Sequence, residues 1–198
     1  MLTGIPVSKG ISIGEAHILD RSKLCVLKQT IDSSDIDKEI IRFRIAIEQT
    51  KKQIQETKKK ASEVADKYSI ILDTYTLLLD DDILVNDTIS KIRNEKINAE
   101  WAITETLNKS LLLFDNINND YLKGKRDDLE LVVHGVIKNL LGHSQNALAD
   151  IQKPVILITH TLSPADTLSI PRQYVLGLAT EVGGKTSHVG IFASALGI

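Results

Sequence analysis

Between Ser33 and Leu141 the chain has no proline and only two glycines, Gly124 and Gly135. Proline removes a helix hydrogen bond and glycine adds backbone freedom, so a stretch this long without breakers favours long helices. The apolar spacing agrees. Ile36, Ile40, Phe43, Ile47 and Ile54 fall at steps of four, three, four and seven, one stripe of a long helix. Ser33 or Ser34 is positioned to cap it, with Asp35 and Asp37 in the first turn, where the helix dipole favours negative charge. Val64, Tyr68, Ile71, Tyr75 and Leu78 predict a second stripe that ends at Asp80-Asp81-Asp82. Val85, Ile89 and Ile92 make a third. Asn98 is expected to cap a fourth helix, with Glu100 in its first turn and Ile103, Leu107, Leu111 and Phe114 on its core face. Leu129, Val132, Val136 and Leu140 give a fifth, closed by Gly142.

The flanks have a different texture. Gly4, Pro6, Gly10 and Gly14 punctuate the first 24 residues, which read as short strands joined by tight turns, with β-rich sequence from Ile11 to Leu19. Pro154 to Thr159 is a compact apolar run with a breaker at its head, expected to be a buried strand, and Tyr174 to Thr180 is a second. The fold expected is therefore mixed, α+β, with a helical block inserted between two β-containing pieces.

Composition narrows the function. With 42% hydrophobic residues and a formal net charge of -2 the chain is not of the disordered class. Its longest apolar runs, such as Leu111 to Phe114, fall far short of a membrane span, and Met1 to Val7 lack the layout of a secretory signal. Cys25 is the single cysteine, which excludes an intramolecular disulfide framework and a cysteine-rich zinc site. A cytoplasmic protein is the default expectation. The lysine-rich Lys51 to Lys60 stretch reads as a solvated helix face, since the chain is slightly acidic and few aromatics interleave; no nucleic-acid or membrane partner is expected.

The segment Gly183-Gly184-Lys185-Thr186-Ser187-His188 follows a predicted strand, and Val189, Phe192 and Leu196 at helical spacing show a helix opening inside it. Two glycines admit a ligand close to the backbone, and amides at a helix start attract an anion. Lys185 adds charge, and Thr186 and Ser187 add hydroxyl donors. Three readings compete. A nucleotide-binding P-loop needs glycine five residues before Gly184, where Ala179 stands, so that pattern fails. The glycines can simply make a turn with His188 as a surface or capping histidine. Or His188 is a nucleophile toward phosphorus, since an imidazole with a pKa of about 6.5 keeps a free lone pair at neutral pH and a helix start favours the phosphorylated form. His17, His134, His143 and His160 show no metal-site spacing, and His160, at the end of a predicted strand near this segment, is the one that merits inspection.

Residues Gly183 to Leu196 resemble the active-site motif of Enzyme I of the bacterial phosphoenolpyruvate:sugar phosphotransferase system, Gly-Gly-Arg-Thr-Ser-His-x-x-Ile-x-Ala. Three further stretches match in order. Gly4 to Gly10, with Gly14 and Ala16, resembles the family's first strand and turn, with Lys9 in place of proline. Leu77 to Asp82 resembles the acidic end of a helix in its HPr-binding subdomain, and Leu162 to Thr167 its Leu-Thr-Pro-Ser-Glu-Thr segment.

The resemblance implies a swivelling β/α phosphohistidine domain of residues 1–28 and 146–198, interrupted by an all-α HPr-binding bundle of residues 29–145. It implies that His188 takes a phosphoryl group from phosphoenolpyruvate (PEP) on Nε2 and passes it to a histidine of the carrier protein HPr. Ser163 would bond the imidazole or the phosphoryl group, and Gly183, Gly184, Lys185, Thr186 and Ser187 would cradle the phosphate. Lys185 in place of arginine keeps the charge and forgoes the bidentate fork. HPr would dock at Tyr75, Leu77, Leu78, Asp81 and Leu84, with Lys125 or Arg126 as the contacting cation. By periodicity alone Leu77 and Leu78 serve equally as core, and the aspartates as the end of one helix and the cap of the next. The family's PEP-binding barrel, with its Mg²⁺ and dimer interface, has no counterpart here, so a monomeric N-terminal fragment with no metal site of its own is expected. Two alternatives are a docking module that never turns over, and the swivelling domain of a pyruvate phosphate dikinase or PEP synthase, which would also need an ATP-grasp domain.

Overall fold

The computed structural model describes residues 3–19, 26–61, 66–115, 120–142, 148, 151–162, 166–167, 169–182, 189–190, 193 and 197. Their elements run β1 (Glu15–Leu19), α1 (Ile36–Ala61), α2 (Asp66–Leu79), α3 (Asp82–Glu95), α4 (Ala99–Asp115), α5 (Asp120–Leu140), β2 (Val155–Thr159) and β3 (Val175–Thr180). They divide into a helical unit, Leu24–Ser144, and a sheet unit, Met1–Lys23 with Gln145–Ile198. The fold class is mixed α+β, mostly helical with a small parallel sheet.

In the helical unit the predicted stripes become buried faces, with local corrections. Ile40, Phe43 and Ile47 of α1 are buried, while Ile36 and Ile54 are half-buried. Leu129, Val132, Val136 and Leu140 of α5 are buried as expected, and Gly142 takes the left-handed φ of 69° that lets the chain leave the helix. On α2 the buried stripe is Leu72, Tyr75 and Leu79, and on α3 it runs through Leu84, Thr88, Ile89 and Ile92, so the expectations at Leu78 and Val85 are each one residue off centre. Val64 and the side chains of Tyr68 and Phe114 lie outside the described residues.

Threonines complete these faces. Thr50, Thr57, Thr88 and Thr106 are buried, and each hydroxyl donates to the carbonyl four residues back, Thr50 to Ala46 at 2.8 Å and Thr88 to Leu84 at 2.7 Å. The polar atom is satisfied within the helix and the methyl is left to pack. Between α1 and α5 the backbones come close at Gly135, where a Cβ would meet Thr50 Cγ2 at 3.1 Å. Asn139 then donates to Thr50 Oγ1 at 2.8 Å, adding a polar tie across the same contact.

The expected caps differ. α1 starts at Ile36, and the carbonyl accepting from the Glu39 amide is that of Asp35, so neither Ser33 nor Ser34 stands at the helix boundary. Asn98 does precede α4, and its carbonyl accepts from Ala102 N at 3.0 Å. Its side chain turns away, accepting from Gln29 N and donating to Leu27 O and Glu100 Oε2. The first amide of α4, on Ala99, is instead satisfied by Glu39 Oε1 of α1 at 2.7 Å. Arg42 binds this same group of residues. Its guanidinium donates to both oxygens of Glu39 and of Glu100 and to the carbonyl of Leu140, joining α1, α4 and α5. Burial alone would raise the Glu100 pKa, but hydrogen bonds and charge from Arg42, with help from Asn98, hold it below the usual carboxylate value.

The sheet unit is a parallel sheet of order β1-β2-β3. Glu15 pairs with Val155 and Leu19 with Thr159. Between β2 and β3 the register shifts: Val155 pairs with Val175, but Ile156 pairs with Gly177, leaving Leu176 as an extra residue. Val155, Leu157 and Thr159 turn to the covered face, where Leu19, Leu148, Ile151, Leu162, Ile170, Val175 and Val189 form the core. Ile18, Ile158 and Leu176 are exposed on the sheet, as are Ile11 and Ile13 ahead of it. The turn-rich sequence of residues 1–24 predicts several short strands. Among the described residues there is one, β1, because the preceding segment is held over the sheet by Ser12 Oγ donating to Leu176 O at 2.7 Å rather than by ladder pairing.

Candidate functional site

Because β2 and β3 are parallel, their carboxyl ends open on the same side, the side on which open α/β sheets bind ligands. β2 ends at Thr159 and β3 at Thr180, but the pairing continues. Glu181 N donates to Thr159 O and Val182 N to His160 O, both at 3.1 Å. His160 Nδ1 lies 2.8 Å from Glu181 Oε2. Beyond β2, Leu162, Asp166 and Thr167 are buried, with helical backbone at Asp166 and Thr167.

The chain leaves Val182 directly into Gly183. His188, Gly183, Gly184, Lys185, Thr186, Ser187 and Ser163 lie outside the described residues, as does Cys25. Past His188, the described residues Val189, Gly190 and Ala193 have helical backbone and are buried, and Val189 joins the core containing Leu157 and Leu162. A helical turn therefore stands immediately after His188.

In the helical unit the residues expected to meet a partner separate into two groups. Tyr75 is 2% exposed and Leu84 is buried, so both belong to the packing of the bundle and present no side chain to a surface partner. The Tyr75 hydroxyl donates to Asp128 Oδ1 of α5 at 3.1 Å, and burial, reinforced by that carboxylate, pushes its pKa upward. Leu77 is 69% exposed, and Leu78 is half-buried. Asp81 is exposed and caps α3, accepting from Ile83 N at 2.8 Å and Leu84 N at 3.1 Å. Asp80 pairs with Lys51 at 2.6 Å.

Several exposed apolar residues escape the sequence pattern, among them Ile70, seven residues before Leu77 on the same face of α2, and Ile83 at the start of α3. Periodicity identifies what is buried and gives no signal for apolar residues left outside. Arg126 is half-buried on α5, and the Lys125 side chain lies outside the described residues. Loss of water pushes the Asp127 carboxyl above its usual range; Arg126 opposes that rise and Asp128 adds to it.

Among the described residues no three His, Cys, Asp or Glu side chains are placed to share a metal ion. No helix of the described residues is long and apolar enough to cross a membrane.

A family model described as PEP-utilising enzyme, N-terminal, matches residues 3–125, and a second, PEP-utilising enzyme, mobile domain, matches residues 151–198. The chain belongs to the PEP-utilising enzyme family. Within it, the chain resembles phosphoenolpyruvate-protein phosphotransferases. It is 34% identical over 196 residues to that of Bacillus sp. (strain S), and 34% identical over 198 residues to that of Bacillus subtilis (strain 168). The first alignment covers 98% of this chain and 34% of the relative, so the chain spans about a third of the length of the curated relatives it matches. An NMR solution structure of an Enzyme I protein superposes with a TM-score of 0.75 at 34% identity, covering 100% of this chain and 80% of that one. A structure of the N-terminal domain of a nitrogen Enzyme 1 gives a TM-score of 0.67 at 23% identity, covering 98% of this chain and 79% of that one, and speaks to the fold alone. In sequence and in fold the chain is thus similar to the N-terminal part of Enzyme I.

Proposed function

We propose that the chain carries a phosphoryl group on His188 and exchanges it with the carrier protein HPr, the protein-to-protein step of a sugar phosphotransferase system. One observation carries this reading: Gly183 to His188 connect the carboxyl end of β3 to the helical turn at Val189, within the stretch matched by the mobile-domain model. In the transfer, a lone pair on His188 Nε2 attacks phosphorus, an N–P bond forms, and the N–P bond of phospho-HPr breaks with its electron pair returning to the carrier imidazole. The protein's contribution is placement of the nucleophile and screening of phosphate charge. Lys185, the backbone of Gly183 and Gly184, and the hydroxyls of Thr186, Ser187 and Ser163 supply that screening, and the helix start opposes an imidazolium.

HPr docking is assigned to the α2–α3 end of the helical unit, with Arg126 or Lys125 on α5 as the accompanying cation. Exposed Leu77, Ile70 and Ile83 beside Asp81 and Asp82 suit an apolar surface with a basic rim. PEP turnover, Mg²⁺ and dimerisation are assigned to sequence that the longer relatives have outside this third, and a cytoplasmic location goes with the same reading. The test is incubation of the chain with labelled phospho-HPr. Label should reach the wild type and be absent from His188→Ala. Label retained in His188→Ala sinks the assignment, and HPr binding without any label leaves a docking module.

A further inference from the structure

The geometry points to His160 and Glu181 as positioning residues that fix where the chain turns into the phosphate-binding segment. This rests on the reading of His188 as the phosphoryl acceptor. Thr159 pairs with Thr180 at the last rung of the ladder, so His160 and Glu181 are the next partners in register. Three bonds converge there: Glu181 N to Thr159 O and Val182 N to His160 O, each 3.1 Å, and His160 Nδ1 to Glu181 Oε2, 2.8 Å. An ionised carboxylate only accepts, so Nδ1 is the ring nitrogen that carries the proton.

The side chains are 58% and 77% exposed, and an exposed pair of this kind adds little to global stability. Its effect is local. Val182 immediately precedes Gly183 and Gly184 in the sequence. Holding Val182 to His160, just past β2, by a main-chain bond, with a side-chain bond across the preceding rung, sets the direction in which the chain leaves Val182. A phosphoryl transfer that depends on alignment is sensitive to that direction, whereas the folded core is not.

The chemistry supplies a specific series of variants. Asparagine places its amide donor near the position of Nδ1, while glutamine reaches toward Nε2. In single-turnover transfer from labelled phospho-HPr, His160→Ala and His160→Gln should slow phosphorylation on the order of tenfold, and His160→Asn should restore most of it. Thermal midpoints should stay near wild type in all three. Amide exchange at Glu181 and Val182 should quicken in the alanine and glutamine variants only. Wild-type transfer rates in His160→Ala, alongside an inactive His188→Ala, overturn the positioning role and leave the phosphohistidine reading standing. Label in His188→Ala overturns that reading instead. Unchanged exchange at Val182 in His160→Ala overturns the clamp whatever the transfer assay shows.

Discussion

The helical unit and the sheet unit are stabilised in different ways. In the helical unit helices pack face against face, α1 on α2 and on the sequence-distant α5, and polar groups are satisfied within a helix or across helices, as with the back-bonded threonines and Arg42. In the sheet unit Glu15 pairs with Val155, so its strand order depends on contacts far apart in sequence. One face of that sheet holds a buried core; on the sheet itself Ile18, Ile158 and Leu176 stay exposed. The difference separates tolerance from function. On the proposed reading, substitution in the helical core is felt as stability, and substitution at the carboxyl edge of the sheet as a change in phosphoryl transfer.

Five substitutions probe that contrast. Phe43→Ala, at a fully buried ring in α1, should cost about 3–5 kcal/mol and lower the transition followed by Trp101, the sole tryptophan, which lies on α4. Leu157→Ala, equally buried in β2, should cost about 2–4 kcal/mol and speed amide exchange through β2 while leaving the Trp101 transition in place. Equal shifts of Trp101 by both would break the division into two cores.

Arg42→Met should cost about 2 kcal/mol, discounted for the partial exposure of the guanidinium, since Glu100 and the Leu140 carbonyl lose a donor. The pH dependence has a definite sign. The Glu100 pKa is depressed below 4.5, so its contribution is present above that value and lost as pH falls through the folded value. Acid titration of Arg42→Met should show a flatter loss than the wild type; parallel curves would remove Glu100 from the account.

Tyr75→Phe should cost about 1 kcal/mol by removing the donor to Asp128, read from a urea midpoint. A weaker HPr interaction with stability unchanged would instead return Tyr75 to the docking face. Ile158→Thr, on the exposed face, should stay within about 0.5 kcal/mol of wild type, and sedimentation velocity should show no gain in association.

Much of this architecture is readable from spacing, and the failures have physical causes. α5 is legible because Leu129, Val132, Val136 and Leu140 recur at steps of three and four, and the adjacent Val133 and Ile137 are buried with them on the same face. α2 is harder: Ile70-Ile71-Leu72 and Leu77-Leu78-Leu79 offer three adjacent apolar candidates each, and only packing selects Leu72 and Leu79. Buried threonines escape because an apolar stripe does not count a hydroxyl bonded to its own helix. Of the site, His188 and its glycines are legible as a motif that follows a strand. The partner of His160 is not, because pairing between strands is set by the fold rather than by neighbouring residues.

The extra residue at Leu176 shows how that pairing is set. In an unbroken ladder from Val155 and Val175, His160 would face Thr180. By absorbing one residue, β3 changes phase for the rest of its length, and a carboxylate instead of a hydroxyl arrives opposite the imidazole. The irregularity thus acts as a step in a count, determining at one end of the strand which functional group is presented at the other.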